Sequence, residues 1–350
     1  MDIDVKLFTV NKRFPLTISR GTTAQTTNVW VKICEDGIEG WGEASPFGVG
    51  DRRQSTDTIQ DTLRQITPIL QTFHPWQRQE IETILAQNQV ISAVRAAIDM
   101  ALHDWLGKSL NFPTWKIWGL NPNLIVPTSV TIGINSPENA RKRAKDWLNY
   151  IDVRLFKIKL GSPEGIEADQ KMLLAVQEEV GENQIFVDAN GGWSLTDAIT
   201  MCSWLADQGI QYVEQPLPRG QETNLATLKQ HSPLPLFVDE SCFTSADIPP
   251  LVDSIDGVNI KLMKSGGLSE AMRMVNIAKT HGLKVMFGCY SDSCLANTAA
   301  LQLAPLADYL DLDSHLNLID DPFTGAVVEK GRVLPNDLPG LGVQYSAFAA

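Results

Sequence analysis

Cysteine is scarce in this chain, and its distribution excludes two kinds of site. The 350 residues contain five cysteines, at positions 34, 202, 242, 289 and 294. An odd, scattered set is not a disulfide framework and is typical of reduced thiols, so we expect a cytoplasmic protein. Only Cys289 and Cys294 lie close together. Without a second Cys or His pair at ligand spacing, a zinc site is not expected there.

Long apolar runs and an excess of positive charge are also missing. No apolar run approaches the roughly 18 residues of a membrane helix. The opening Met-Asp-Ile-Asp lacks the basic and apolar regions of a secretory signal, so none is expected. The 29 lysines and arginines stand against 41 acidic residues, a net charge of −12, which argues against a nucleic acid or an anionic membrane as partner. We expect a small-molecule substrate, and a homo-oligomer is left open.

The chain does have apolar sequence in short, regular pieces. Hydrophobic residues make up 43% and charged residues 20%, as in globular proteins with a substantial core. Eight apolar, β-branched runs recur about one strand, one helix and two short loops apart. These predicted strands cover 126–134, 153–160, 184–188, 210–214, 234–239, 256–261, 283–288 and 308–313. Helix starts follow at Ser136-Pro137-Glu138 and Ser162-Pro163-Glu164. Eight such units in series predict a closed parallel (β/α)₈ barrel over 121–320.

The first 120 residues follow a different pattern, with strands before helices. Residues 5–10 predict a strand, and residues 29–33 alternate into the turn Glu35-Asp36-Gly37, with a second strand through Trp41. The loop 17–22 is expected to precede this hairpin. The region therefore predicts an α+β domain rather than more barrel.

A helix and the chain's tail complete the predicted organisation. Apolar positions between 94 and 105 predict an amphipathic helix capped by Ser92, on which Asp99 and Asp104 are expected to be solvated or capping. Residues 325–334 predict a hairpin that returns to the first domain. We therefore predict an α/β fold, with a barrel over 121–320 and an α+β capping domain of residues 1–120, completed by 321–350.

Charged residues end most of the predicted barrel strands, directly after apolar runs. Successive strands end in Lys157-Ile-Lys159, Asp188, Glu214, Asp239 and Lys261, and the eighth ends in Asp311-Leu-Asp313. One charge at a strand end is usually only solvated. Five in succession at equivalent positions indicate a site, because barrel active sites lie where strands end and the following loops begin.

Three of these residues are carboxylates on adjacent strands, so they are expected to meet at the barrel mouth. Left alone, Asp188, Glu214 and Asp239 would repel one another, and one would take up a proton. A hard divalent cation removes this conflict. An oxygen-only ligand set with open positions suits Mg²⁺ better than Zn²⁺.

Lysines are expected on both sides of this cation. Lys157 and Lys159 are two residues apart in a strand and therefore point the same way. Lys261 enters from the far side, and Lys264, in the following loop, is its rival. A substrate carboxylate on the metal would then lie between two lysines, one removing an α-proton and the other returning one through an enediolate. Lys157 is expected to tune Lys159, because a like charge about 6 Å away at a dielectric near 20 favours deprotonation by roughly 3 kcal/mol.

The charged strand ends stand in motifs that resemble a known superfamily. These are Lys157-Ile-Lys159, Val187-Asp188-Ala-Asn190, Val213-Glu214-Gln-Pro216, Val238-Asp239-Glu-Ser241 and Asn259-Ile-Lys261. They resemble the enolase superfamily, in its muconate-lactonizing-like subgroup, across essentially the whole chain. In that superfamily a Lys or His base works with one or two Mg²⁺ ions. The resemblance implies a modified barrel under an α+β cap, Asp188, Glu214 and Asp239 as Mg²⁺ ligands, and Lys159 and Lys261 as acid/base residues.

Within the superfamily, two features favour a dipeptide epimerase of the L-Ala-D/L-Glu type. The seventh strand ends Phe287-Gly288-Cys289 without the histidine of mandelate-racemase-like members. Asp311-Leu-Asp313 resembles the motif by which dipeptide epimerases hold the substrate's α-ammonium group, and two carboxylates outside the metal cluster call for a cation. The alternative for this pair is a local salt bridge or a helix cap from Asp313.

Substrate choice and the rival activities complete the expectations. In proteins that the chain resembles, the early loop with Arg20 reaches over the barrel mouth, so Arg20 is expected to grip an acidic side chain of the substrate. A surface contact to Glu43 or another local acid is an equal alternative. Rival activities are o-succinylbenzoate synthesis, muconate cycloisomerisation and N-acylamino-acid racemisation, none of which needs a cation-binding pair. A non-catalytic metal-binding barrel would lack a base or a ligand, and none is missing.

Overall fold

The computed structural model describes residues 1–50 and 52–346, and its N-terminal region places strands before helices. The strands are β1 (Asp2–Ile18), β2 (Gly21–Glu35), β3 (Ile38–Ala44), β4 (Phe47–Val49) and β5 (Arg52–Gln54). The helices are α1 (Thr56–Leu70), α2 (Arg78–Gln87), α3 (Ser92–Leu110) and α4 (Thr114–Ile117). β1, β2 and β3 form an antiparallel sheet. The predicted turn at 35–37 joins β2 to β3, so that hairpin is confirmed.

The first strand is much longer than residues 5–10, and this changes the place of the early loop. β1 and β2 pair from Asp2 with Cys34 out to Ile18 with Gly21, with one irregularity between Asn11 and Leu16. The prediction that residues 17–22 precede a hairpin is therefore wrong, because they form the tip of one. The polar, threonine-rich stretch 22–27 lacks apolar alternation and hid this strand from the sequence pattern.

Helix α3 packs tightly on strand β3 because two glycines leave room for it. A Cβ at Gly42 would lie 1.8 Å from the carbonyl oxygen of Ala97, so only glycine fits there. Ser92 begins the helix, and Ile91 takes the cap position without a side-chain bond, so the predicted cap is wrong. Asp104 is fully buried rather than solvated and accepts hydrogen bonds from the backbone of Trp41 and Leu341.

The eight predicted barrel strands are all present, one with the predicted bounds 184–188 and the other seven in shorter form. They are β6 (Ser129–Ile132), β7 (Leu155–Lys159), β8 (Gln184–Asp188), β9 (Val213–Glu214), β10 (Leu236–Val238), β11 (Gly257–Ile260), β12 (Lys284–Gly288) and β13 (Tyr309–Asp311). They lie in one sheet in chain order, each pairing in parallel with the next. A bridge between Thr128 and Leu310 joins the first strand to the last. The predicted barrel fold is confirmed.

The helices between the strands depart from a regular barrel in two places. They are α5 (Pro137–Tyr150), α6 (Ile166–Val180), α7 (Leu195–Asp207), α8 (Leu225–His231), α9 (Leu262–Ser265), α10 (Leu268–Thr280) and α11 (Cys294–Leu301). Only 3₁₀ turns follow β10 and β13, at 245–247, 249–251 and 314–317. Pro249 and Pro250 account for the first case, since proline disrupts a helix interior. Ser136 caps α5 as predicted, whereas α6 begins after Gly165 rather than at Ser162.

Inside the barrel, the inward-facing side chains form two layers that differ in chemistry. The layer at the amino ends of the strands is apolar and aromatic, and consists of Leu155, Phe186, Tyr212, Phe237, Met286 and Tyr309. The Tyr212 ring lies 4.4 Å from that of Phe237 and 4.7 Å from that of Tyr309, measured between centroids. Two residues further along the same strands, the inward positions carry charged side chains, except on β12, where Gly288 follows Met286. The barrel is therefore closed at one end and carries the charges at the other.

The tail of the chain contacts the N-terminal sheet. Strands β14 (Phe323–Thr324) and β17 (Gln344–Tyr345) pair with each other, and β15 (Val327–Glu329) pairs with β16 (Arg332–Leu334), the predicted hairpin. The rings of Phe323 and Tyr345 lie 5.7 Å and 5.3 Å from that of Trp41. Residues 347–350 of the predicted capping unit lie outside the described residues. Among the described helices, none is long and apolar enough to cross a membrane.

Candidate active site

The charged strand ends converge as the sequence pattern predicts. Because parallel strands of a barrel all point the same way, the side chains at their carboxyl ends face one mouth. Lys157, Lys159, Asp188, Glu214 and Asp239 are all within a tenth of full burial. Burial of so many charges requires that they compensate one another, since an isolated buried charge is very costly.

Asp188, Glu214 and Asp239 form a compact cluster at this mouth. Each offers an oxygen, and the three oxygens lie within 4.8 Å of one another. Burial and repulsion from Asp188 raise the pKa of Glu214 to about 7. Burial would also raise the pKa of Asp188, but Lys159 and Lys157 hold it well below its usual range. Glu214 is thus the carboxylate whose charge the protein side chains compensate least.

The cluster fits a divalent cation on its own chemistry. All three candidate ligands are carboxylate oxygens, the donors that Mg²⁺ prefers. Oε2 of Glu214 is buried and accepts no hydrogen bond within the described chain, although it lies 2.7 Å from Nζ of Lys157. Its other oxygen accepts from Asn259 at 2.7 Å, which orients the carboxylate. A buried carboxylate oxygen that only an ammonium group approaches can also serve as a metal ligand.

Lys159 and Lys261 flank the cluster from opposite sides. β7 and β11 are four positions apart in the eight-stranded sheet and therefore face each other across the barrel. Nζ of Lys159 lies 2.6 Å from Asp188 Oδ2, and Nζ of Lys261 lies 2.8 Å from Asp239 Oδ2. The two ammonium groups are thus brought to opposite edges of the same carboxylate cluster, as the sequence analysis predicts.

The other two lysines are locked by their neighbours. Nζ of Lys157 lies 2.7 Å from Asp311 and Glu214 and 3.2 Å from Asp188. Burial lowers the pKa of Lys157, but these carboxylates outweigh it and raise the pKa well above its usual value. Lys157 is therefore charged, as a role in lowering the pKa of Lys159 requires. Its charge is offset by the three neighbouring carboxylates, however, and that role stays a prediction.

Lys264 is set apart from Lys261 by its contacts. Its Nζ donates to the carbonyl oxygens of Asp239 and Asn259 and to a carboxylate oxygen of Asp239. All of its donor capacity is used, and the residue is fully buried. The predicted loop position of Lys264 is wrong, since the residue lies in the short helix α9. The contacts support the choice of Lys261.

Asp311 and Asp313 have different surroundings, although they are two residues apart. Asp311 is paired with Lys157 and also accepts from Ser129 at 2.7 Å, so part of the salt-bridge alternative holds for it. Asp313 accepts from the backbone of Thr131 at 2.7 Å and makes no ion pair within the described chain. Burial, with Asp311 nearby, raises the pKa of Asp313 to about 6. Of the two aspartates, Asp313 is therefore the one whose charge a bound cation would compensate.

Arg20 lies at the tip of the β1–β2 hairpin and reaches the barrel. Its guanidinium lies 2.9 Å from Glu240 Oε1 and donates to the carbonyl oxygen of Asn190 at 2.9 Å. The local acid is therefore Glu240. Glu43, named as the alternative partner, is buried elsewhere and accepts from Asn28 at 2.6 Å. The Arg20 side chain is about one third exposed, so the guanidinium is accessible to a ligand.

Comparisons with known families agree with this geometry. Residues 2–119 match the N-terminal domain of mandelate racemase and muconate lactonizing enzyme, and residues 139–349 match the enolase C-terminal domain-like family. The chain belongs to the enolase superfamily. The resemblance drawn from the strand-end motifs is thereby confirmed.

Several relatives within the superfamily carry names of dipeptide epimerases. A protein of Roseobacter litoralis named hydrophobic dipeptide epimerase is 44% identical over 98% of both chains. A protein of Bacteroides thetaiotaomicron named L-Ala-D/L-Glu epimerase is 37% identical over 95% of this chain and 84% of its own. The structure of a dipeptide epimerase from Enterococcus faecalis with Mg and L-Leu-L-Tyr matches with a TM-score of 0.91, at 29% identity over 98% and 99% of the chains.

Sequence reasoning missed several residues of this enolase-superfamily site. Glu240 and Asn190, which hold Arg20, stand inside motifs quoted for their neighbours Asp239 and Asp188. Their position directly beside the ligand residues was the available signal. Tyr290, just after the seventh strand, faces Lys261 across 4.5 Å and left no pattern, because one aromatic residue in a loop has no periodicity to reveal it.

Proposed function

We propose that this chain is a Mg²⁺-dependent dipeptide epimerase that inverts the α-carbon of the C-terminal residue. The observation that carries the proposal is the placement of Lys159 and Lys261 on opposite sides of one carboxylate cluster. A group on each side can remove a proton from one face of a substrate and return a proton to the other. That arrangement suits inversion of a stereocentre, whereas a one-way elimination needs only one base.

Asp188, Glu214 and Asp239 would hold the cation, together with the substrate carboxylate. When bound, Mg²⁺ stabilises the negative charge that develops on that carboxylate as the α-proton leaves. The protein itself holds the three carboxylates close to one another and shields them from bulk water. Asn259 and the paired lysines hold the carboxylates in orientation, so little reorganisation is needed at the moment of reaction.

Lys159 and Lys261 carry the proton transfers in this proposal. In one direction Lys159 accepts the α-proton as a neutral amine, and Lys261 donates a proton from its ammonium to the opposite face. The reverse reaction exchanges these tasks. Both side chains are nearly fully buried, which keeps bulk water from the reacting carbon. Lys157 would stay protonated throughout.

Asp313, with Asp311 beside it, would hold the substrate's free ammonium group. Asp313 is a buried carboxylate without an ion pair in the described chain, so an arriving cation would compensate it. This supports a dipeptide over the rival substrates. N-acylated amino acids and the substrates of o-succinylbenzoate synthase and muconate cycloisomerase bring no such cation.

A further part of the proposal concerns which substrate side chain, acidic or apolar, is preferred on the inverted carbon. An acidic substrate side chain would have to share Arg20 with Glu240, which already balances its charge at 2.9 Å. This competition favours an apolar residue over glutamate in this chain, and we propose that preference in place of the acidic one. Kinetics on L-Ala-L-Leu and L-Ala-L-Glu, with wild type and Arg20→Met, separate the two. An unchanged Leu/Glu ratio in the variant makes Arg20 structural, and a preference for glutamate that the variant loses restores the acidic proposal.

A dipeptide library tests the activity itself. The protein is incubated in D₂O with Mg²⁺, and mass spectrometry reads deuterium at the α-carbon of each dipeptide. We expect incorporation with both the L,L and the L,D isomers, and its loss after exhaustive EDTA treatment with recovery on adding Mg²⁺. Glu214→Ala is expected to abolish Mg²⁺ binding by calorimetry. Full activity after EDTA, or no exchange in any dipeptide, would contradict the proposal.

A further inference from the structure

Tyr290 lies on the wall of the site, and the proposed mechanism does not use it. It follows β12 in the loop before α11. Its ring stacks on that of Phe47 from the N-terminal region, with centroids 4.7 Å apart and planes inclined by 7°. The ammonium of Lys261 lies 4.5 Å from the centroid of the same ring. Contacts from both parts of the chain therefore hold the ring beside an acid/base residue.

The hydroxyl of this ring is buried and unpaired. It makes no hydrogen bond to any described residue. A buried hydroxyl in that state is costly, because it has lost its contact with water and gained no replacement. Burial, with Asp239 nearby, raises the pKa of Tyr290 well above its usual value, so the hydroxyl keeps its proton and can donate. The free donor needs an acceptor, and a bound ligand can bring one.

The strand order indicates which part of a dipeptide would meet this hydroxyl. β12 lies between β11, which leads to Lys261, and β13, which leads to Asp313. A dipeptide with its ammonium at Asp313 and its reacting carbon at Lys261 must carry its peptide bond past β12. Its carboxylate is directed to the Asp188 cluster, so the peptide carbonyl is the backbone acceptor left over. Tyr290 follows β12 and lies against Lys261, so its hydroxyl is the unpaired donor on the side of the site that this peptide bond would pass.

We propose that the Tyr290 hydroxyl donates a hydrogen bond to the peptide carbonyl oxygen of the bound dipeptide. Tyr290 is then a substrate-binding residue that recognises the backbone and not the side chain. The assignment rests on the proposed function, since it requires a dipeptide held between Asp313 and Lys261. Because the bond forms on binding and persists through proton transfer, it contributes equally to ground state and transition state and acts on KM.

Tyr290→Phe tests this assignment, because it keeps the ring and removes only the hydroxyl. We expect KM to rise by on the order of tenfold with kcat nearly unchanged, to a similar extent for L-Ala-L-Leu and L-Ala-L-Glu. The Tm of the ligand-free protein should stay the same or rise, since a buried group without a partner is removed. The matched control is Tyr309→Phe at the opposite end of the barrel, which should change neither KM nor kcat.

The outcomes separate this inference from the function on which it rests. Wild-type protein that exchanges no α-proton in any dipeptide overturns the proposed function. Active wild type with unchanged KM in Tyr290→Phe overturns only the role of Tyr290. A loss confined to one of the two substrates would put the hydroxyl on the side chain, and a clear fall in Tm would make it structural; either result also overturns the assignment.

Discussion

The two layers of side chains inside the barrel belong to the same strands, but one layer stabilises the fold and the other carries the charges of the candidate site. Phe186, Tyr212, Phe237 and Tyr309 pack against one another at the amino ends, and two residues later the strands carry Asp188, Glu214, Asp239 and Asp311. The aromatic layer is stabilised mainly by burial and ring packing and needs no partner of specified charge. The charged layer is buried as deeply but is tolerable only because lysines and carboxylates compensate one another.

This difference shows that the fold assigns stability to one layer of side chains and chemistry to the other. Apolar packing favours folding in proportion to the area removed from water, and any well-packed ring contributes. The charged layer works against folding unless its members compensate one another. Ligands are expected at Glu214, whose pKa is raised, and at Asp313, which makes no ion pair within the described chain. We therefore expect changes in one layer to affect activity and changes in the other to affect stability.

The largest expected effect falls on the charged layer. Lys159→Ala and Lys261→Ala should each lower net epimerisation by on the order of 10³-fold, because each removes one of two proton carriers. Each variant should still exchange the α-proton of the isomer that the remaining lysine faces. NMR in D₂O measures both rates, with the exposed Lys171→Ala on α6 as the control. Wild-type epimerisation by either variant would remove that lysine from the mechanism.

The matching change in the aromatic layer should affect folding instead. Phe237→Ala removes a ring that is 1% exposed and should lower the free energy of unfolding by about 3–5 kcal/mol. The kcat of the folded fraction should stay close to that of wild type. Urea unfolding and initial rates measure the two quantities, and the exposed Phe112→Ala serves as control. A loss of kcat with unchanged stability would show that the layers are not separable in this way.

A smaller effect concerns the incomplete pair at Asp313. An N-acetylated dipeptide lacks the ammonium group, so a charge-assisted contact worth roughly 1.5–3 kcal/mol is lost. We expect kcat/KM to fall about ten- to a hundredfold relative to the free dipeptide. Asp313→Asn should largely abolish this difference. Equal rates on free and acetylated substrates would instead favour an N-acylamino-acid racemase.

The smallest expected effect is the pH dependence of the same contact. Burial raises the pKa of Asp313 to about 6, and Asp311, Lys12 and Lys157 are the charged groups around it. The carboxylate is therefore charged above that pH, and binding of the ammonium is lost as the pH falls through it. The preference for free over acetylated dipeptide should shrink roughly tenfold between pH 7 and pH 5. A preference independent of pH would place the ammonium elsewhere.

Much of the barrel was predictable because its signals are local and repeated. Each strand is a short apolar run, and each functional charge directly follows one, so position along the chain implied position at the mouth. The sequence also repeats aromatic, aliphatic and acid in Phe186-Val-Asp188, Tyr212-Val-Glu214, Phe237-Val-Asp239 and Tyr309-Leu-Asp311. Strand alternation alone implies two layers from that repeat, because residues two apart point to the same face.

The sequence by itself determined the strand count, the barrel, the three clustered carboxylates and the two facing lysines, because alternation and strand order settle which side chains share a face. Only the tertiary structure decided how the charges pair. Arg20 forms an ion pair with Glu240, which is 220 residues away in the sequence, and Lys157 forms one with Asp311, which is 154 residues away. Such contacts depend on side-chain reach and on how a hairpin tip lies over the barrel. No local periodicity encodes either, because the two partners belong to segments that approach each other only after folding.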